Sequence, residues 1–275
     1  MALSHRIAEP ALLYKYLDCK GIKVLENGTL RGSIPKNLND PFEFRPGVLP
    51  LTDQEILSSI AKQNVLIDWF REMKGIRTPQ EDFRTYIRQH PEIILNDFHQ
   101  TPNTSEEYFR NLWDARDNYR MLCFSLRNDG ILLWSHYADH HRGFVLAFDK
   151  AMCDCDVQPD QRFAVEYKST RPCAGNLLNV IRREKCEALQ MIVRTKSVEW
   201  AYEEEYRFYF EQSESGDNYA RFNPDSLCQV IFGSKCLPKL ERRIRQILDD
   251  PKYKHVKKCR ATLSNQQFKI EIANE

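Results

Sequence analysis

Apolar and polar positions alternate with a period of two in several short stretches of the chain and with a helical period in one long stretch, and this contrast sets the first expectations. Residues 11 to 17, ALLYKYL, read as a strand; residues 21 to 30 carry a short element that ends in the turn signal Asn27-Gly28, and a second strand leads into SIPKNLNDPFEF. Asn39-Asp40-Pro41 ends any helix before it, and Asn39 and Asp40 are read as a turn that hydrogen-bonds its own backbone. From Thr52 to Tyr119 the period becomes helical: Thr52 or Asp53 caps a helix that Gly75 closes, Pro79 starts the next, Pro91 kinks or breaks it, and Thr104 to Glu107 caps a third, from Ser105 to Arg120.

Strand character returns at residues 121 to 125. After the Asn128-Asp129-Gly130 turn, residues 131 to 139 read as a helix, residues 143 to 148 as a buried strand and residues 163 to 168 as another. Residues 177 to 196 form a long amphipathic pattern that leads into residues 198 to 210, VEWAYEEEYRFYF, read as a strand with an acidic triplet at its centre. In that strand Trp200, Tyr202, Glu204, Tyr206, Phe208 and Phe210 share one parity, which places Glu203, Glu205, Arg207 and Tyr209 together on the opposite face. A strand at residues 229 to 232, a basic amphipathic helix from Pro238 to Leu248 and two closing strands complete the pattern. The expectation is an α+β fold: one domain over residues 1–275, built on a mixed, mostly antiparallel sheet, with residues 50–120 as a helical insertion.

Composition changes this picture little. The chain has 275 residues, 42% hydrophobic and 11% aromatic, enough to fill a substantial core. A net charge of +1 gives no overall basic field for nucleic acid or anionic membrane, although a local basic patch is compatible with it. The N-terminal segment shows no signal-peptide pattern and no apolar run reaches the roughly 18 residues of a spanning helix; a cytoplasmic protein with no membrane partner is expected. Nine cysteines, many in apolar contexts, fit reduced buried thiols better than a disulfide framework. Cys153 and Cys155 near His140 and His141 make a weak metal signal, and no metal is expected.

Candidate chemistry concentrates in CFSLRNDGILLWSHYADHHRGFVLAFD and in the glutamate strand. Trp134 and Tyr137 can form an aromatic wall for a planar ligand, or can simply belong to the core, which is the default for aromatics at helical spacing. His136 and His140 lack the Glu of an H-E-x-x-H site, and Ser125 stands outside a G-x-S-x-G elbow. There is no P-loop, no G-x-G-x-x-G turn and no C-x-x-C pair, which argues against nucleotide hydrolases, dehydrogenases and thioredoxin-like enzymes. Contacts to phosphate are therefore expected from side chains such as Lys15, Arg127 or Arg207, or from helix N-termini.

YKY, NDPFEF, CFS with LLWSHYADHHRGFVLAF, and WAYEEEYRF, in that order, resemble an uncharacterised, largely bacterial family, domain of unknown function 2971, over nearly the whole chain outside the helical insertion. A more distant similarity is to the ADP-ribosyltransferases, in which a first-strand polar residue, a serine or tyrosine at the nicotinamide pocket and an E-x-E motif recur; here Lys15 or Tyr16, Ser125 with Tyr137, and Glu203-x-Glu205 stand at those places. Members usually carry His or Arg where this chain has Lys15. That resemblance implies an ADP-ribosyltransferase-like split sheet and an NAD-consuming activity, either ADP-ribosyl transfer or NAD glycohydrolysis, of a bacterial conflict or defence type, with NAD as substrate and its acceptor, whether protein, nucleic acid or small molecule, unread. In it Glu205 would stabilise the oxocarbenium-like ribose and Glu203 would position or deprotonate the acceptor, while Lys15, Tyr16, Ser125, Trp134, Tyr137 and Arg207 would bind the dinucleotide. Arg207 also has the simpler role of neutralising Glu205. Two other readings stand beside it: a non-catalytic ligand-sensing or interaction module working with a defence-system partner, and a metal-dependent nuclease using Asp40, Glu203 and Glu205. The enzyme reading requires Lys15, Ser125, Tyr137 and Glu205 to line one cleft.

Overall fold

The computed structural model describes residues 12–45, 52–62, 67–68, 71, 75, 79–100, 118–150, 157–158, 161–172, 192–212 and 218–275. The chain divides into two compact units, one of residues 1–43, 116–170 and 194–275, the other of residues 44–115 and 171–193. The expected insertion thus falls in a unit of its own, joined by a second segment whose helical periodicity at 177 to 196 had been read as part of the main domain. Most of that stretch, like the expected helix from Ser105 to Arg120, lies outside the described residues, and its last residues, Thr195–Ser197, are a strand.

The larger unit is built on an eight-stranded sheet. In chain order its strands are β1 (Leu12–Leu17), β3 (Tyr119–Ser125), β4 (Phe144–Asp149), β5 (Arg162–Ala164), β8 (Glu205–Glu211), β10 (Leu227–Phe232), β11 (Lys257–Leu263) and β12 (Ile270–Asn274). In space the order is β12-β11-β10-β4-β1-β3-β8-β5. Within this sheet every described pairing is antiparallel except β10 with β11, which are joined through α6 (Pro238–Leu248). Two small sheets accompany it, β2 (Thr29–Arg31) with β9 (Tyr219–Arg221), and β6 (Glu166–Lys168) with β7 (Thr195–Ser197). The mixed, mostly antiparallel α+β architecture matches the expectation.

Period-two alternation sorts the sheet's side chains between two cores. From β4, Phe144, Leu146 and Phe148 enter one core, against Leu240, Ile244 and Leu248 of α6 and Val24 and Leu25 of α1 (Lys23–Asn27), whereas Val145 enters the other, with Leu133 and Trp134 of α5 (Ile131–Tyr137). Because both faces are covered, β4 reads as the uninterrupted apolar run FVLAF rather than an alternation. Gly143 before it is dictated by close approach: a Cβ there would stand 2.1 Å from the carbonyl oxygen of Leu17.

The β1–β3 junction positions the site. β1 pairs with β4 along its whole length, Leu12 with Asp149 through Leu17 with Phe144, but meets β3 in register only at Tyr14 and Ser125. Beyond that point the two strands diverge, and the sheet opens between them.

In the smaller unit α3 (Gln80–Gln89) and α4 (Pro91–Gln100) follow the predicted punctuation, with Pro79 before α3 and a break at Pro91, while α2 (Asp53–Lys62) starts where expected and most of the rest of its expected course to Gly75 lies outside the described residues. Ile56, Ile67, Phe83, Ile87 and Ile94 form its own core.

The acidic stretch departs from its expected form. Residues 198 to 210 are not one strand: Val198–Glu203 is a 3-10 helix, Glu204 takes the left-handed conformation (φ 44°, ψ 55°), and only Glu205–Glu211 is β8. Glu203 and Glu205 share a side because the left-handed residue turns the chain between them, so the conclusion drawn from strand parity holds for another reason.

Candidate active site

Fifteen residues of the larger unit surround a cavity of about 160 Å³ accessible to water, in the opening between β1 and β3. Tyr14, Lys15 and Tyr16 line it from β1, and Cys123, Phe124 and Ser125 from β3. Asn39 and Glu43 come from the two ends of the NDPFE turn, Tyr137 from the end of α5, Lys196 from β7, and Glu203 and Glu205 from either side of the left-handed Glu204. Lys15, Ser125, Tyr137 and Glu205, separated by up to 190 positions in sequence, therefore line one cavity.

Behind the cavity wall lies a buried charge network. The Lys196 ammonium stands 2.6 Å from Glu203 Oε2, 3.0 Å from Glu205 Oε2 and 3.9 Å from Glu43. The Arg207 guanidinium grips Glu205 with two N–H groups, Nε to Oε1 at 2.7 Å and Nη2 to Oε2 at 2.8 Å, and also donates to Glu43. All five side chains are at most 5% exposed. Tyr137 donates to Glu203 Oε1 at 2.6 Å and accepts from Asn39 Nδ2 at 2.9 Å. Ser125 Oγ donates to the Glu203 carbonyl at 2.6 Å and accepts from the Arg127 N–H, tying β3 to the 3-10 segment. The backbone N–H of Glu205 donates to the Tyr167 hydroxyl.

Three carboxylates, Glu43, Glu203 and Glu205, share the two cations Lys196 and Arg207. Burial pushes the Glu205 pKa up, against the pull of Lys196. Burial also opposes the charge on Lys196, but Glu205 and Glu203 outweigh it and hold the ammonium above the ordinary lysine value. Arg207 is brought down by burial to about 9 and so remains a cation at neutral pH. Burial raises Tyr137, and the Glu203 charge adds to it. Lys15 is the opposite case: burial lowers it, with the Cys123 thiol and Glu205 resisting, and its Nζ donates to the Cys123 carbonyl at 2.8 Å across the gap between the strands.

The predicted site residues separate on this geometry. Lys15, Tyr16, Ser125, Tyr137, Glu203 and Glu205 line the cavity. Trp134 does not: it is 0% exposed in the core, edge-on to Tyr16, with its indole N–H donating to the Asn128 carbonyl, so its role as a ligand wall is withdrawn and its core role stands. Arg207 is wholly buried and spends its donors on Glu205 and Glu43, which is the neutralising role and not a contact to phosphate. Ser125 acts as a strap on the Glu203 backbone. Asp40 accepts from the Phe42 N–H as the turn reading expects, while Asn39 of the same turn reaches Tyr137. The sequence reading missed Lys196, hidden in an apparent helix, along with Glu43, Cys123 and Tyr167; for Glu43 the acidic residue directly after NDPF was the available signal. Among the described residues no group of three His, Cys, Asp or Glu side chains is disposed to hold a metal ion.

Residues 133–208 match the model of a family described as Protein of unknown function (DUF2971). The expected family resemblance is found over that stretch. The DUF2971 match takes in Tyr137, Lys196, Glu203, Glu205 and Arg207, whereas Lys15, Glu43, Cys123 and Ser125 lie outside it. No curated protein and no solved structure matches the chain significantly. No helix among the described residues is long and apolar enough to cross a membrane.

Proposed function

We propose that the cavity receives the nicotinamide–ribose end of NAD and that the protein is an ADP-ribosyltransferase or a related NAD glycohydrolase. The observation that carries this reading is the convergence of Lys15, Ser125, Tyr137 and the two glutamates on one cavity at the opening of the sheet. Its volume is close to the ~150 Å³ that accommodates a benzene-sized ring, which suits a pyridine ring with the rest of the dinucleotide extending through the mouth.

Cleavage of the glycosidic C–N bond leaves its electron pair on nicotinamide and positive charge on the ribose. A fixed carboxylate stabilises that charge most where water is excluded. Glu205 is fixed by Lys196 and Arg207. Glu203 has acceptor capacity left beyond Tyr137 and Lys196, and so takes the proton of the attacking water or acceptor hydroxyl. Lys15 has N–H groups left for an anionic or carbonyl oxygen of the donor. The biological setting, a bacterial conflict or defence system, rests on the resemblance alone.

A specific observation favours a second reading. Both oxygens of Glu205 already accept from cations, which reduces what they offer an oxocarbenium, and a cavity of this kind also suits a ligand sensor. Incubation with NAD labelled in the nicotinamide and in the adenylate, for wild type and Glu205→Gln, separates the two. Release of nicotinamide that the variant loses supports the enzyme. Thermal stabilisation by NAD or nicotinamide without release supports the sensor, and neither response removes NAD from the site.

A further inference from the structure

A basic surface lies in the C-terminal quarter, on the outer face of α6 and the turn that follows it. Residues 235 to 260 contain ten lysines and arginines against three acidic residues, in a chain whose total charge is only +1. Helical periodicity divides α6 cleanly: Leu240, Ile244 and Leu248 are buried in the core, and Lys239, Arg242, Arg243 and Gln246 form an exposed stripe at offsets of three and four. The 3-10 turn Pro251–Tyr253 packs against α6 and carries Lys252, with Lys254 next to it and Lys257 at the start of β11, all exposed. Arg245 and Arg260 are consumed internally by Glu241 and Glu275, Arg243 meets Glu26, and Lys252 meets Asp250. Within the described residues no carboxylate pairs with Lys239, Arg242, Lys254 or Lys257.

We propose that this face docks the phosphate backbone of double-stranded nucleic acid. The helix is about 16 Å long at its 1.5 Å rise, enough to run beside several phosphates of a duplex that carries a charge every ~1.7 Å. A bilayer fits less well, because the apolar side of α6 is spent on the core and leaves no hydrophobic face to insert. Among the described residues the face holds no exposed Phe, Tyr or Trp, Tyr253 being buried and His255 its one exposed ring, so contact is chiefly with the backbone. Binding is therefore independent of sequence and strongly salt-dependent. The proposal does not depend on what the cavity does.

Fluorescence anisotropy of a labelled 24-base-pair DNA duplex titrated with the full chain, from 50 to 200 mM salt, tests it. Four to five phosphate contacts give a slope of log K against log salt of about −4, and two unrelated duplex sequences bind alike. Lys239→Glu with Arg242→Glu, Lys254→Glu and Lys257→Glu together weaken binding at least tenfold with unchanged circular dichroism. The milder glutamine series, which keeps the surface polar, lowers the slope by roughly one for each contact removed. No binding at 50 mM salt, or binding that both series leave intact, overturns the proposal. So does retention on phosphatidylserine vesicles, lost in the variants, without duplex binding.

Discussion

Glu205 and Glu241 each accept hydrogen bonds from two cationic side chains, yet their pKa values move in opposite directions. Glu241, on the surface, is held down first by the hydrogen bond from Arg260 and then by Arg245. Glu205, gripped by Arg207 and Lys196, is held up, because burial outweighs both partners. The contrast comes from burial. At the surface an ion pair is nearly free of desolvation cost and contributes little; inside, the same pairing leaves the carboxylate poised to take a proton or meet a cation. The proposed active site calls on that readiness.

Removing one cation from each network is the sharpest way to break the comparison. Arg207→Met leaves Glu43 and Glu205 buried without their shared guanidinium, and loss of a partner from a buried ion pair costs about 3–5 kcal/mol. Arg245→Met at the surface, where the arginine is 36% exposed, is expected to cost no more than about 1 kcal/mol. Urea denaturation of both variants reads the difference directly; equal losses would mean that the inner network is not energetically distinct.

Next in size is catalysis. If Glu205 stabilises developing positive charge, Glu205→Gln lowers nicotinamide release on the order of 10²–10³-fold, the range for one preorganised electrostatic contact. Glu241→Gln, despite a similar pair of cationic partners, leaves release unchanged. A steady-state assay on the two variants, alongside NAD binding, shows whether the inner carboxylate has a chemical role that the outer one lacks.

Much of the fold was legible because it rests on periodicity. Apolar runs, alternating or continuous, and their turn residues marked β1, β3, β4 and β10, and Pro79 and Pro91 bounded α3 and α4 where expected. The site was legible in its types more than in its construction. Three consecutive glutamates among aromatics pointed to Glu203 and Glu205, but no periodic rule encodes a left-handed residue, so the turn at Glu204 passed as strand. Lys196 was hidden because a lysine ending an amphipathic run resembles a solvated helix terminus, and its burial arises from partners seven and nine residues further on. Trp134 misled in the opposite direction: an aromatic at helical spacing looks the same whether it faces a ligand or a core.

The left-handed Glu204 provides a smaller test. Its backbone stores the cost of a non-glycine residue in that region, about 1–2 kcal/mol, and its side chain makes only an exposed contact with Arg127 at 3.5 Å. Glu204→Gly is expected to be more stable than Glu204→Ala by on the order of 1 kcal/mol, with both variants losing the Arg127 contact. Thermal or urea unfolding of the pair reads the strain alone, and a less stable glycine variant would show that the conformation carries none.

The finest distinction between the networks is the sign of their pH dependence. Glu205 has a folded pKa above that of the unfolded chain, so its contribution to stability is fully present below the unfolded value, about 4.3, and is lost as pH rises through the folded one. Glu241 has a folded pKa below the unfolded value, so its contribution is present above that value and is lost as pH falls through the folded one. Urea denaturation over a pH series therefore gives slopes of opposite sign: the stability of wild type relative to Glu205→Gln declines towards alkaline pH, and relative to Glu241→Gln it declines towards acid. Slopes of the same sign would mean that Lys196 and Arg207 offset the burial of Glu205 completely, and the inner carboxylate would then be an anchored structural charge with no special readiness for a proton or a cationic ribose.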